Sequence, residues 1–187
     1  MKSKLVVCLL AFGTIFGLSA NAQEVPKIDA SVSYSYLRAN PAMTGLNDFN
    51  LNGGSASVAY NVKDWLSGVA DFGGYHVGSA NGVNVDGTLA TYLFGPRITY
   101  RTRRFSPFAQ ALFGTAHAGS GVFGTSNSHS AFASAFGVGI DWNVRDRFSI
   151  RPLEVDYLLT HLPEIGNGNT QTQNNVRVST GIVFHFK

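Results

Sequence analysis

Apolar and polar residues alternate one by one along most of the chain. The clearest run is residues 175–187, N-V-R-V-S-T-G-I-V-F-H-F-K. Val176, Val178, Thr180, Ile182, Phe184 and Phe186 share one parity; Asn175, Arg177, Ser179, Gly181, Val183 and His185 share the other. In a strand these parities are opposite faces, one apolar and the other polar or small. The same period predicts strands over residues 27–37, 53–62, 65–77, 88–100, 105–118, 131–144, 148–159 and 175–187. The fifth is the least regular; Gln110 and Gly114 are assigned to its polar face, with Ala109, Ala111 and Phe113 on the other. Pro96 falls on the apolar face of the fourth and removes a ladder donor, so a distortion is expected there. In the seventh, Arg151 is out of parity with Glu154 and Asp156. A bulge near Pro152 would reconcile them and leave Leu153, Val155, Tyr157 and Leu159 on the apolar face.

The connections alternate in length. Residues 38–52, 78–87, 119–130 and 160–174 are rich in Asn, Gly and Ser and read as long loops. Lys63-Asp64, Arg101-Thr102-Arg103-Arg104 and Arg145-Asp146-Arg147 read as short turns. Eight strands with alternating long and short connections predict an all-β fold, an eight-stranded antiparallel up-and-down barrel.

Alternation alone does not say which face is wet. Charged residues are 13% of the chain, against about 25% in soluble domains. The polar parity is mostly Ser, Gly, Ala, Thr and Asn, which suits a narrow lumen better than a water-facing exterior. Tyr36, Tyr60, Trp65, Tyr100, Trp142 and Phe186 lie near strand ends, as aromatic girdles do at membrane interfaces. These features favour a transmembrane barrel over a soluble calyx. At the N-terminus, Lys2 and Lys4 precede an apolar run, Leu5 to Leu18, and the small residues Ala20 and Ala22. Residues 1–22 are therefore predicted to be a cleaved signal peptide, leaving 23–187 as the barrel. The one cysteine, Cys8, lies in that run, so the barrel has no disulfide. Without Lys2 and Lys4, the 14 basic residues fall to 12 against 11 acidic, a net of +1. That balance gives no support to nucleic-acid binding.

The chain resembles the OmpA/OmpX-like family of small outer-membrane β-barrels. The resemblance covers residues 25–187 and rests on the strand count, the loop alternation, Gly137-Val138-Gly139-Ile140-Asp141 and the terminal Ile182-Val183-Phe184-His185-Phe186. It implies location in the cell outer membrane, short turns on the periplasmic side, and Phe184 and Phe186 as the signal read by the barrel-assembly machinery. Lys187 departs from the family pattern, in which the chain usually ends on Phe. No peptidoglycan-binding domain is expected after the barrel, so the cell-wall tethering of full-length OmpA proteins is not carried over.

The polar parity collects Asp71, Arg97, Asp141, Glu154, Asp156 and Arg177 as a lumen cluster, and enclosed charges must pair. Asp71 is expected to pair with Arg97, and Arg177 with Glu154 or Asp156. The cluster reads as a plug, with a narrow pore as the alternative. An enzyme acting on lipid A is a further alternative, through a Ser–His pair using His117 or His129. However, there is no G-x-S-x-G, and His76, His117, His129, His161 and His185 are scattered. No catalytic residue, cofactor or metal site is assigned; Gly137-x-Gly139 lacks the third glycine and the helix of a dinucleotide fingerprint. The expected partners are outer-membrane lipids, with the basic turns able to meet anionic headgroups, and an unidentified ligand at the loops. The expected state is a monomer with a structural or surface-interaction role.

Overall fold

The computed structural model describes residues 26–40, 49–77, 86–122, 125–163 and 170–187. The predicted signal peptide lies outside them. Eight strands form in chain order: β1 (Ile28–Asn40), β2 (Phe49–Lys63), β3 (Leu66–Val77), β4 (Asp86–Thr99), β5 (Phe105–Val122), β6 (Thr125–Arg145), β7 (Phe148–Pro163) and β8 (Thr170–Phe186). Each pairs antiparallel with its neighbours in sequence. β8 pairs with β1, from Ile28↔Phe186 to Asn40↔Asn174, and closes the barrel. Closure leaves no unpaired sheet edge, which a lipid-embedded sheet requires because lipid offers no hydrogen bonds.

The alternation sorts as predicted. Val32, Tyr34, Phe72, Phe94, Phe136, Val138, Tyr157, Ile182 and Phe184 are exposed on the outer wall. Ser31, Ser33, Ser57, Asp71, Arg97, Asp141 and Arg177 are buried inside. In an ordinary soluble protein so many exposed large apolar residues would drive association; on a barrel they are the lipid-facing wall. Five of the predicted girdle residues, Tyr60, Trp65, Tyr100, Trp142 and Phe186, are exposed at the turn end, with Tyr36 toward the loop end.

Two distortions follow the prolines. β7 carries one extra residue relative to both neighbours: its register with β8 shifts between Arg151 and Glu154, and its register with β6 shifts opposite Ile140 and Trp142. Pro152 and Leu153 are both exposed and Arg151 and Glu154 are both buried. The predicted bulge is there. Beside Pro96 the β4–β5 pairing lapses over Gly95 and Pro96, then resumes in unchanged register at Arg97↔Gln110. The missing N–H therefore interrupts the ladder without inserting a residue.

The long connections are shorter than predicted, because strands continue into them. The largest correction is residues 119–130, read as a loop. Here β5 and β6 stay paired from Gly119↔Ser128 to Val122↔Thr125. Gly, Ser and Asn are poor strand formers in isolation, but a ladder already in register carries them along. β5 and β6 run for 18 and 21 residues, against roughly 9–11 for a tilted membrane crossing. Their turn-end neighbours are short connections, so the surplus projects at the loop end.

Candidate functional site

The inward-facing side chains form three layers. The middle one is a continuous charged network. Arg151 donates from Nε to Asp141 Oδ1 (2.7 Å) and from a terminal nitrogen to Asp141 Oδ2 (3.1 Å), a two-point clasp, and from its other terminal nitrogen to Glu154 Oε2 (2.9 Å). Gln110 Nε2 donates to Glu154 Oε1 (2.7 Å) and Asp156 Oδ1 (2.9 Å). Its carbonyl accepts Nε and a terminal nitrogen of Arg97 at 3.0 and 2.8 Å. Arg177 donates to Asp156 Oδ2 (2.8 Å), Asp71 Oδ1 (2.8 Å) and the Tyr75 hydroxyl (3.2 Å). The network thus joins residues of β3, β4, β5, β6, β7 and β8. The guanidinium carbons of Arg97 and Arg151 stand 4.5 and 4.6 Å from the centre of the Phe108 ring. The Phe108 ring thus supports both cations.

All six residues of the predicted lumen cluster are buried there. Arg177 pairs with Asp156, one of its two predicted partners. The predicted Asp71–Arg97 pair does not form. Arg97 lies opposite Ser67 on β3, whereas Asp71 lies opposite Leu93. That step along the barrel puts Arg97 nearer Gln110, and Arg177 takes Asp71 from across the lumen. Arginine is long enough to choose partners beyond its neighbouring strand, as Arg177 does. Arg151, Tyr75 and Phe108 belong to the network and were absent from the predicted cluster. For Arg151 the signal was present: the bulge inferred at Pro152 turns it inward together with Glu154.

Glycines make room for this layer. A Cβ at Gly137 would run into the carboxylate of Asp156, and one at Gly139 into the ring of Phe108. The Gly137-x-Gly139 spacing is thus accounted for by lumen packing.

A second layer closes the turn end. Asp29 accepts from Asn61 Nδ2 (2.9 Å) and from Arg101 (3.0 Å), and its other oxygen lies 2.6 Å from His185 Nδ1. Arg101 and Ser67 both donate to Asn61 Oδ1, at 2.9 and 2.5 Å. His185 Nε2 lies 2.7 Å from Ser149 Oγ, which donates to Asn143 Oδ1 (3.0 Å); Asn143 in turn donates to Ser106 (3.1 Å) and to the Thr102 carbonyl (2.8 Å). Arg101, read from sequence as one of a run of turn cations, is therefore folded over the mouth onto Asp29. This layer escaped sequence reasoning because its members are single polar residues on different strands.

The third layer is apolar. Leu93, Leu112 and Leu158 are fully buried. Each faces inward on the loop side of Arg97, Gln110 and Asp156 in its own strand, and Leu37 and Leu51 join them. The predicted lumen was lined mostly by small and polar residues; leucines on the inner parity narrow it above the charges.

On the outer wall, Ser130 Oγ lies 2.6 Å from His117 Nδ1, and Tyr92 packs edge-on against the imidazole with ring centres 5.6 Å apart. This is the Ser–His pairing considered from sequence, on adjacent strands and exposed. Among the described residues no carboxylate contacts that ring. The side chains of His129 and His161 lie outside the described residues. No group of three or more His, Cys, Asp or Glu able to hold a metal ion occurs among the described residues.

The chain matches the family model "Outer membrane protein beta-barrel domain" over residues 8–186. No curated protein matches it in sequence. Among solved structures, the fold is similar to that of neisserial surface protein A (TM-score 0.69, 13% identity, covering 88% of this chain and 100% of that one). It is also similar to Ail, the attachment invasion locus protein of Yersinia pestis (TM-score 0.55, 20% identity, 84% and 98%). A third is the N-terminal β-barrel domain of Pseudomonas aeruginosa OprF (TM-score 0.53, 16% identity, 84% and 97%). At these identities the likeness is one of fold.

Proposed function

From the premise that the chain belongs to the outer membrane protein β-barrel family, and so is an outer-membrane barrel, we propose that it acts as a monomer through its surface, in membrane structure or in contacts made by its loops, and not by conducting solutes or by catalysis. The observation that carries this reading is the filled lumen. The charged network spans six strands, a polar ring covers one mouth and leucines fill the section toward the other. Eight strands enclose just enough space for such side chains. What remains to interact is the wall and the prolonged β5–β6 hairpin beside the other loops. The names of two structural relatives, a surface protein and an attachment protein, agree with a surface role. On this reading residues 1–22 direct export and are removed, and Phe184 and Phe186, both exposed on the last strand, are the segment handed to the assembly machinery.

Planar-bilayer recording tests the plug. The refolded barrel is expected to give no steady ion-sized openings, and steady openings would replace this reading with the pore. The Ser130–His117 contact favours one other reading, an enzyme acting on membrane lipid. Lipid profiles of cells with and without the gene are expected to match; an acyl change restored by the wild type and not by Ser130→Ala would establish the enzyme.

A further inference from the structure

Among the described residues, the cations outside the lumen gather at one end of the barrel, with Arg38, exposed on β1 toward the loops, the exception. Lys27, Lys63, Arg103, Arg104, Arg145 and Arg147 all lie in or beside the short connections and are all exposed. Asp64 and Asp146 are the acidic residues beside them, and Asp29 is engaged by Arg101 and His185. Among the described residues, none of Arg103, Arg104, Arg145 and Arg147 has an acidic partner. The four connections at the other end contain no Lys or Arg at all, and carry Asp48 and Glu164. A chain of nearly balanced charge is therefore strongly polarised along the barrel axis.

The cations also sit at a defined depth. Arg145 follows Trp142 by three residues on β6, Arg104 precedes Phe105, and the Phe105 and Trp142 rings pack with centres 6.4 Å apart. Lys63 Nζ stands 5.7 Å from the centre of the Trp65 ring. Aromatic girdles mark the boundary between hydrocarbon and headgroups. Three residues of strand are at most about 10 Å, and Arg104 and Lys63 are nearer still to their aromatic neighbours, so these cations stand within headgroup depth of that boundary. The connections bearing them are too short to reach farther: two residues lie between β2 and β3, two between β6 and β7, and five between β4 and β5.

We propose that this rim is a binding surface for anionic phospholipid, gathering phosphatidylglycerol-type headgroups from the leaflet at the turn end. The inference rests on the membrane placement of the barrel and is independent of whether the lumen conducts. Cations close to an anionic membrane surface each add about five-fold to its attraction, and salt weakens that attraction within a Debye length. A polymer lying in the aqueous space beyond the membrane would need cations carried on longer connections.

The chain carries its own reporter, because both of its tryptophans, Trp65 and Trp142, lie at this end. The barrel is refolded into phosphatidylcholine vesicles containing a small, equal fraction of acyl-chain-labelled phosphatidylglycerol or phosphatidylcholine, and energy transfer from tryptophan is measured. Transfer to the anionic lipid is expected to exceed that to the neutral lipid at least two-fold. The excess should vanish in 0.5 M salt and in the variant Arg103→Gln/Arg104→Gln/Arg145→Gln/Arg147→Gln. Heat-modifiable gel mobility shows that each sample is folded; should the fourfold variant not fold, Arg103→Gln/Arg147→Gln is expected to lose about half the excess. Equal transfer to the two lipids, or an excess unchanged in the folded variants, overturns the proposal. So does salt-sensitive binding to isolated cell-wall sacculi without lipid enrichment, which would assign the rim to the polymer.

Discussion

Arg177 is the residue on which most of the lumen depends. It is 1% exposed and holds Asp71 from β3 and Asp156 from β7 together with the Tyr75 hydroxyl. Its removal leaves two enclosed carboxylates without their cation, a loss that costs about 3–5 kcal/mol in buried pairs. Arg177→Ala is expected to lower the urea midpoint of unfolding in lipid vesicles accordingly, and Arg97→Ala to lower it less, because Arg97 contacts Gln110 and a ring instead of a carboxylate directly. Equal midpoints for the two variants would show that the network is not organised around Arg177. Gly137 has the opposite constraint. A side chain there displaces Asp156, so Gly137→Val is expected to destabilise by about 1–3 kcal/mol through overpacking, read from the same unfolding curves.

The sequence made the cluster legible at this scale because charges on the inward parity of a barrel can go nowhere but the lumen. It did not make the partners legible. Parity assigns a face, whereas partner choice depends on the stagger between strands and on arginine reach. Register alone places Arg97 beside Ser67. Phe108 and the leucines were not singled out for a related reason: apolar residues on the inner parity carry no signal until the lumen is known to contain an apolar layer.

Among the elements, β7 is the one whose irregularity serves the site. The extra residue at Pro152 lets Arg151 and Glu154, three apart, face inward together and form an ion pair of 2.9 Å. Deleting Pro152 restores plain alternation with both residues still inward, so this variant is expected to fold. Deleting Val155 keeps the bulge but leaves Glu154 next to Asp156, so one carboxylate must face lipid. That variant is expected not to show the heat-modifiable folded band. If both deletions fold equally well, the bulge is not what orients Arg151. The bulge was readable in advance because proline and a parity conflict coincide there. The extension of β5 and β6 was not, because Gly119, Ser120, Ser128 and their neighbours owe their conformation to each other across the hairpin and not to local preference.

For the whole molecule, the strand number, the order and the face toward lipid follow from period and composition, since a charge-poor alternating chain has few other ways to bury its apolar parity. The turn-end ring did not follow. Asp29, Asn61, Asn143, Ser149 and His185 come from five strands and meet only when the sheet closes on itself.

The reach of Arg177 across the lumen has a consequence for timing. Its strand is the last in the chain, and the carboxylates it serves stand on strands made earlier. Pairing of β8 with β7 already sets Arg177 opposite Asp156, but until β8 is seated against β1 the barrel is open and Asp71, on β3, lies on the far side of that opening. Seating β8 fixes the cation against Asp71 and completes the hydrogen-bonded circle in one event. An open barrel keeps a charged, wet seam and a closed one does not. The final strand therefore serves as a bolt that makes half-assembled forms poor residents of the bilayer.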